Sequence, residues 1–173
     1  MPADELRAKI REIPDFPKPG VLFYDITTLL KDPVAYREAI DLLVAPYLHE
    51  RIDLVVGMES RGFIFSAPMA YQLNAGLVPV RKLGKLPAET VSVEYALEYG
   101  TNTLEVHKDA IAPGQQVLIV DDLLATGGTV NGTIELVRQL QGDVAGLAFL
   151  VELTELHGRE RLRGQQIHSV VQY

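Results

Sequence analysis

A turn of small residues directly after two adjacent carboxylates is the part of the sequence best suited to chemistry. The apolar run 117–120 leads into Asp121 and Asp122, and a loop follows that consists of Ala125, Thr126, Gly127, Gly128 and Thr129. The bare backbone N–H groups of such a loop, together with the N-terminus of a following helix, suit a phosphate monoester. Carboxylates a few residues upstream are suited to accept hydrogen bonds from sugar hydroxyls. The pattern therefore predicts a site for a ribose 5-phosphate group.

Two other phosphate-binding motifs do not fit this sequence. The pair Gly84-Lys85 is followed by Leu86, and Pro79 stands where a Walker loop needs its first glycine. The dinucleotide fingerprint GxGxxG is also missing. The alternative is that the glycines only turn the chain and the two acids only end a strand. The combination of strand, acids and loop favours the phosphate site.

A second candidate feature is a local cluster of positive charge in an acidic chain. The sequence has 16 Lys and Arg against 23 Asp and Glu, a net charge of −7, yet Arg81, Lys82 and Lys85 lie close together. They follow a predicted strand over residues 77–80. A solvated loop is the alternative. Because the fork of an arginine matches phosphate oxygens, we interpret the cluster as a pyrophosphate clamp.

The elements that must position these groups alternate along the chain. Apolar runs of strand length are separated by helical patterns, which predicts an α/β protein with an open, mostly parallel sheet flanked by helices. Asp32 and Pro33 predict the start of a helix over residues 33–48, and Ser60 is expected to cap the next helix. Residues 82–106 predict a hairpin or a mobile excursion. Ligands of such sheets bind at the carboxyl ends of the strands, where both candidate features lie.

Composition narrows the class of protein. A length of 173 residues with 47% hydrophobic and 23% charged residues fits one soluble domain spanning 1–173. The acidic balance argues against nucleic acid as a partner. The absence of cysteine excludes disulfide frameworks and thiolate metal sites, and it fits a reducing compartment. No run approaches the roughly 20 apolar residues of a membrane helix, so we expect a cytoplasmic protein with no membrane partner.

The whole stretch 117–129 resembles the phosphoribosyl pyrophosphate (PRPP) motif of the type I phosphoribosyltransferases. Segments 16–26, 59–63, 80–87 and 97–100 also resemble that family, in the same order, so the resemblance covers nearly the whole chain. The amino-acid sequence of the stretch 117–129 is most similar to that of family members that use adenine. The resemblance implies a type I phosphoribosyltransferase fold with a small hood, about residues 1–32, and a flexible lid, about residues 82–106.

The implied activity belongs to purine salvage: the phosphoribosyl group of PRPP is transferred to adenine, which gives AMP and pyrophosphate. The family also implies a homodimer and Mg²⁺ held mainly by the substrate, without a dedicated protein metal site. Two alternatives stay open at this stage. One is a sister enzyme for a 6-oxopurine or orotate, and the other is a regulator that binds PRPP only as a signal.

The resemblance assigns roles to individual residues. Ala125 to Thr129 would bind the 5′-phosphate, and Asp121 and Asp122 the ribose. Glu59, Ser60 and Arg61 would bind pyrophosphate together with Arg81, Lys82 and Lys85, and Arg81 would also assist catalysis. Leu22, Phe23 and Tyr24 would bind adenine, with Phe23 stacked on the ring. Many relatives carry Arg or Lys where this chain has Tyr24. Glu98 would transfer a proton to or from the base, and Tyr99 would belong to the lid.

Overall fold

Short strands alternate with helices throughout the part of the chain that the structure, a computed structural model, describes: residues 2–96 and 100–173. The strands are β1 (Arg11–Ile13), β2 (Phe23–Asp25), β3 (Leu54–Met58), β4 (Gly76–Lys82), β5 (Thr90–Ala96), β6 (Thr101–His107), β7 (Gln116–Leu124), β8 (Asp143–Glu152) and β9 (Ile167–Gln172). The helices are α1 (Ala3–Arg7), α2 (Thr27–Leu30), α3 (Pro33–Val44), α4 (Gly62–Gln72), α5 (Gly128–Gln139) and α6 (Gly158–Arg161). Three-residue 3₁₀ turns cover Ala45–Tyr47 and Thr154–Leu156.

The central sheet of the described residues has seven strands in the order β5-β6-β4-β3-β7-β8-β9. Five of these strands run parallel to one another: β4, β3, β7, β8 and β9. The hairpin of β5 and β6 extends the sheet beyond β4, with β6 antiparallel to β4. The predicted α/β class and mostly parallel sheet are confirmed. The expectation that residues 82–106 are not helical is also confirmed for their described part.

The helices cover the sheet on both faces, which explains why the central strands are continuously apolar. One apolar cluster joins Val55 and Leu118 to Leu43 of α3 and Phe65 of α4. The other joins Val56, Ile119 and Phe149 to Ile134 and Val137 of α5. None of the helices in residues 2–96 and 100–173 has the length and apolarity needed to cross a membrane.

The helix α3 starts where the sequence predicts. The Asp32 carboxylate accepts hydrogen bonds from the backbone N–H groups of Val34 and Ala35, at 3.0 and 3.1 Å, and Pro33 occupies the first turn. The helix ends at Val44, and the chain continues as a 3₁₀ turn to Tyr47. The predicted helix is therefore present, but its last turn is a 3₁₀ helix and not an α-helix.

The strands β1 and β2 form a separate antiparallel pair above the main sheet. An aromatic contact joins this pair to the sheet: the ring centroids of Tyr24 and Tyr173 are 3.9 Å apart, with the planes tilted by 33°. The guanidinium carbon of Arg7 lies 4.2 Å from the same Tyr173 ring. The backbone of Tyr173 is itself fixed, because its carbonyl accepts bonds from the N–H and hydroxyl of Thr154.

Candidate active site

A cavity of about 430 Å³ opens at the carboxyl ends of the central strands. It is lined by Glu59, Ser60, Arg61, Lys82, Tyr95, Asn102, Leu104, Asp121, Asp122, Leu123, Ala125 and Thr129. The carboxyl ends of β4 and β7 and the loops after β3 and β7 thus converge at one edge of the sheet, as expected for a parallel sheet. Sequence reasoning missed Tyr95, Asn102 and Leu104, which the β5–β6 hairpin contributes.

A larger cavity, about 570 Å³, lies at the opposite edge of the sheet and includes Tyr47, Arg51, Gln116 and His168. Size alone would favour it as the functional site. However, its lining contains none of the residues that the sequence singles out for chemistry. We therefore assign the candidate active site to the smaller cavity at the carboxyl edge.

The predicted phosphate loop surrounds a small cavity of about 70 Å³, lined by Asp121 and by residues 123–130. Gly127 has φ +82°, a left-handed conformation that favours glycine, and α5 starts at the next residue. A methyl group on Gly127 would lie 2.8 Å from the carbonyl oxygen of Gly158. One on Gly158 would lie 2.4 Å from the carbonyl oxygen of Ala125. The loop therefore owes its shape to direct backbone packing against α6.

The two acids at the end of β7 occupy different surroundings. Asp121 is half-buried beneath the start of α4, so that a methyl group on Gly62 would lie 3.0 Å from its Oδ1. This burial, followed by the charge of Asp122, raises the pKa of Asp121 well above its ordinary value. Asp122 is buried, and its Oδ2 lies 2.7 Å from Nε of Arg61. Both residues line the main cavity, but Oδ1 of Asp121 accepts a bond from the N–H of Asp122 at 2.8 Å, whereas the Asp122 carboxylate is paired with a cation.

Arg61 stands between two cavities. Besides its ion pair with Asp122, its guanidinium carbon lies 5.9 Å from the ring centroid of Phe23. It lines the main cavity and also a second, mostly apolar cavity of about 150 Å³. This neighbouring cavity is lined by Val21, Leu22, Phe23, Tyr24, Ile26, Arg61, Asp122, Leu123, Val151 and Leu153.

The apolar cavity contains all three residues predicted to bind the base, Leu22, Phe23 and Tyr24. Phe16 supports the Phe23 ring edge-on, with the ring centroids 5.0 Å apart. Sequence reasoning missed the opposite wall, to which Val151 and Leu153 contribute from the end of β8. The only signal for them is their position at the carboxyl end of a strand, which many apolar residues share.

The expectation that Ser60 caps the following helix is wrong. The N-cap of α4 is Arg61, and no side chain caps it. Ser60 instead contributes its backbone carbonyl, which accepts a bond from the N–H of Phe63 at 3.2 Å. The peptide bond between Glu59 and Ser60 is cis. The Ser60 side chain is therefore not committed to the helix, and the residue lines the main cavity.

The predicted basic cluster is held by Glu59. Oε1 of Glu59 lies 3.2 Å from Nη2 of Arg81, and Oε2 accepts a bond from the N–H of Lys82 at 3.0 Å. The bond from the Lys82 N–H, more than those from Arg81, lowers the pKa of Glu59. Arg81 also donates to the carbonyl of Lys85 at 3.3 Å. Lys82 lines the main cavity, whereas Arg81 and Lys85 lie outside its described lining.

Two predicted residues, Glu98 and Tyr99, lie outside the described residues, so their roles stay predictions.

Known proteins share this fold and these loops. A model of the phosphoribosyl transferase domain matches residues 25–170. The adenine phosphoribosyltransferase of Koribacter versatilis is 58% identical over 170 residues, which cover 98% of this chain and 93% of that protein. The crystal structure of the enzyme of that name from Thermoanaerobacter pseudethanolicus has a TM-score of 0.94 at 55% identity and covers 99% of both chains.

A third similar protein was solved with ligands. The adenine phosphoribosyltransferase of Saccharomyces cerevisiae, complexed with an imino-altritol bisphosphate and adenine, has a TM-score of 0.92 at 39% identity and covers 97% of both chains. The two structural matches cover nearly the whole chain, so they include the β1–β2 pair, the sheet and the loops of the cavity. The chain therefore belongs to the phosphoribosyltransferase family and, within it, to the adenine phosphoribosyltransferases.

Proposed function

We propose that this protein transfers the phosphoribosyl group of PRPP to adenine and releases AMP and pyrophosphate, a purine-salvage reaction. The observation that carries the proposal is the junction of two cavities at Arg61 and Asp122. One cavity adjoins a phosphate loop and basic residues, whereas the other is apolar and bounded by an aromatic ring. This pair of cavities suits a phosphorylated sugar joined to a planar base. The adenine in the yeast relative supports the choice of base.

The reaction needs three groups held in line: the sugar phosphate, the leaving pyrophosphate and the base. Ala125, Thr126, Gly127, Gly128 and Thr129 hold the 5′-phosphate through backbone N–H groups and hydroxyls at the start of α5. Asp121 and Asp122 accept hydrogen bonds from the ribose hydroxyls. Because positive charge develops on the ribose in the transition state, the nearby carboxylate of Asp122 also stabilises it electrostatically.

Pyrophosphate binds on the other side of the main cavity, beside Glu59, Ser60, Arg61 and Lys82. Arg81 and Lys85 supply further positive charge once Arg81 exchanges Glu59 for phosphate oxygens. This exchange conserves charge-assisted hydrogen bonds, because the guanidinium fork suits either partner. Stabilising the departing pyrophosphate in this way lowers the barrier of the displacement.

Mg²⁺ is the proposed cofactor, and the chemistry of the cavity fits it. Glu59, Asp121 and Asp122 line the same space and offer the oxygen ligands that Mg²⁺ prefers. No group of three or more side chains that could hold a metal ion occurs among the described residues, so substrate oxygens and waters would supply most of the ligands, with one or two of these carboxylates at most. When bound, the ion neutralises charge on the pyrophosphate.

Adenine binds in the apolar cavity, where Phe23 stacks on the ring. Backbone groups near Leu22 and Tyr24 bond to the edge of the base, and Glu98 exchanges a proton with it. A backbone group cannot rotate to exchange a hydrogen-bond donor for an acceptor. With hypoxanthine in the cavity, buried donors would therefore face donors, and buried acceptors would face acceptors. A site of this kind rejects the wrong analogue by about 10⁴-fold.

A homodimer in the cytoplasm is the proposed state of the enzyme. Tyr71 on α4 is 88% exposed, and Leu77 on β4 is 46% exposed. Leu77 is the register partner of Val55, whose side chain packs in the cluster that contains α4. A contact between two subunits would cover exposed apolar side chains such as these.

The decisive experiment offers the purified protein radiolabelled adenine, hypoxanthine, guanine and orotate, each with PRPP and Mg²⁺. We expect AMP from adenine, with kcat/KM about 10⁴-fold above that for hypoxanthine. Similar kcat/KM values for the two purines would exclude the adenine assignment. PRPP binding without product from any base would instead favour a regulator. Sedimentation of the same preparation tests the dimer.

A further inference from the structure

We propose that Glu105 is a positioning residue for pyrophosphate binding: its buried carboxylate fixes the basic loop, defined as residues 82–90. This inference deepens the proposed function and rests on it. Glu105 lies on β6 and takes no part in the reaction described above. It acts through the loop that carries Lys82 and Lys85.

Glu105 is a carboxylate in an unusual place. Its neighbours Leu104 and Val106 belong to the apolar cluster beneath α5, so the alternation of a strand directs Glu105 to the opposite face of the sheet. Nevertheless the residue is only 7% exposed. No ion pair involves Glu105 among the residues that the structure describes. A buried carboxylate is costly unless hydrogen bonds satisfy its oxygens.

Both oxygens of Glu105 are satisfied by the basic loop, one at each end. The N–H of Gly84 donates to Oε2 at 3.0 Å, and the hydroxyl of Thr90 donates to Oε1 at 3.2 Å. Gly84 has φ +81°, a left-handed conformation in which glycine is favoured. One side chain therefore joins the two ends of the loop and fixes the turn between them.

Further bonds attach the loop along β6. The N–H of Leu83 donates to the carbonyl of Thr103 at 3.1 Å, and that of Ala88 donates to Nε2 of His107 at 3.3 Å. Past the end of the strand, the N–H of Lys108 donates to the carbonyl of Glu89 at 2.9 Å. The basic loop is thus laid along the strand, and Glu105 is its central attachment.

The charge of Glu105 also suits its position. In the β4–β6 ladder, Glu105 is the register partner of Arg81, so a negative group stands opposite the start of the basic loop. Arg81, Lys82 and Lys85 repel one another before pyrophosphate binds, and a nearby carboxylate reduces this repulsion. This effect of charge is secondary to the two hydrogen bonds from Gly84 and Thr90, which fix the shape of the loop.

The consequence is a selective effect on pyrophosphate-containing ligands. In Glu105→Ala both ends of the loop are released, and we expect the KM for PRPP and the Ki of pyrophosphate to rise on the order of 10- to 100-fold, as for other displaced binding groups. AMP carries no pyrophosphate, so its Kd should change less than about twofold. In Glu105→Gln the amide oxygen can accept from Gly84 and the amide nitrogen can donate to Thr90. This variant should recover most of the PRPP affinity.

The experiment compares the parent with Glu105→Ala, Glu105→Gln and Thr90→Val, with Glu89→Ala as the matched control. Glu89 is a carboxylate on the same loop, but its side chain is 83% exposed. Initial rates give the KM for PRPP and for adenine, calorimetry gives the Kd of AMP and of pyrophosphate, and thermal melting reports folding. Thr90→Val removes one of the two bonds and keeps the proposal testable if Glu105→Ala does not fold.

The proposal is supported if the loss is confined to PRPP and pyrophosphate, Glu105→Gln is close to the parent, and Glu89→Ala is unchanged. It is overturned if Glu105→Ala and Thr90→Val leave PRPP affinity intact, or if AMP affinity falls equally. If the parent itself makes no AMP, the proposed function fails. Pyrophosphate calorimetry on the same variants then decides about Glu105 separately, and a parent that does not bind pyrophosphate overturns the proposal.

Discussion

The contact between Tyr173 and Tyr24 predicts that a residue outside the cavity controls adenine binding. Tyr24 lines the apolar cavity from β2, and its ring packs on Tyr173 with centroids 3.9 Å apart. Arg7 lies over the Tyr173 ring at 4.2 Å. Tyr173, which directly follows β9, thus packs against strand β2 and helps to position it. Tyr173→Ala should loosen β2 and thereby weaken the binding of adenine.

The magnitude follows from the two contacts that the alanine variant loses. An aromatic pair contributes about 0.5–1.5 kcal/mol beyond burial. A cation–π contact at an exposed site contributes about 0.5–1 kcal/mol. If all of this free energy appears in adenine binding, the KM for adenine rises roughly 5- to 60-fold, because 1.4 kcal/mol corresponds to a factor of ten. Smaller effects are expected where β2 keeps part of its position through β1.

Steady-state kinetics test this directly. The KM for adenine and the KM for PRPP are measured for the parent, Tyr173→Ala and Tyr173→Phe. The phenylalanine variant keeps the ring and loses only a long hydrogen bond from the hydroxyl to the carbonyl of Arg7, at 3.4 Å, so it should behave like the parent. A folded Tyr173→Ala enzyme with an unchanged KM for adenine, or with equal losses for both substrates, would refute the reasoning.

Two further predictions concern the phosphate loop and the loss of stability of the folded protein at acid pH. Gly127→Ala forces alanine into a left-handed conformation, which costs about 1–2 kcal/mol, and places its methyl group against the carbonyl of Gly158. The melting temperature and the affinity for AMP should therefore both fall. In the control Gly128→Ala the methyl group has no contact under 3.6 Å, so this variant should melt like the parent. Hydrogen bonds, of which that from Arg159 has the largest effect, lower the pKa of Glu152 from 4.5 to about 2. At pH values above the unfolded-state pKa, this carboxylate therefore contributes roughly 3 kcal/mol to the free energy of unfolding. The contribution is lost as the pH falls through the folded-state pKa. Urea unfolding at pH 6 and pH 3 should show a smaller difference for Glu152→Gln than for the parent, and an equal difference would contradict the assignment.

The parts of the site that are contiguous in sequence could be predicted from it. The strand over residues 117–120, the acids Asp121 and Asp122 and the following loop form one uninterrupted segment, so their chemistry can be inferred without tertiary structure. The start of α3 at Asp32 is predictable for the same reason, because a cap acts on N–H groups two and three residues away. Local rules suffice wherever both partners of an interaction are neighbours in the chain.

Contacts between distant segments could not be predicted. The ion pair of Arg61 with Asp122 joins residues from different loops, and it gives Arg61 a position between two cavities. Ser60 has the residue type of a cap, but the helix begins one position too late for its side chain to act as one. Glu105 has no motif at all, because its role depends on a loop that folds back along β6. In each case the deciding partner is set by the topology of the sheet.

The backbone contact between the phosphate loop and α6 restricts how this enzyme can be re-engineered. The carbonyl of Ala125 leaves no room for a side chain at Gly158, and the carbonyl of Gly158 leaves none at Gly127. A side chain at either glycine is therefore expected to destabilise the loop. A second substitution at the other glycine cannot relieve the clash, since both clashes are with main-chain atoms. A library intended to accept altered phosphate groups has better prospects at Thr126 and Arg161, whose side chains are exposed at the rim of the same loop.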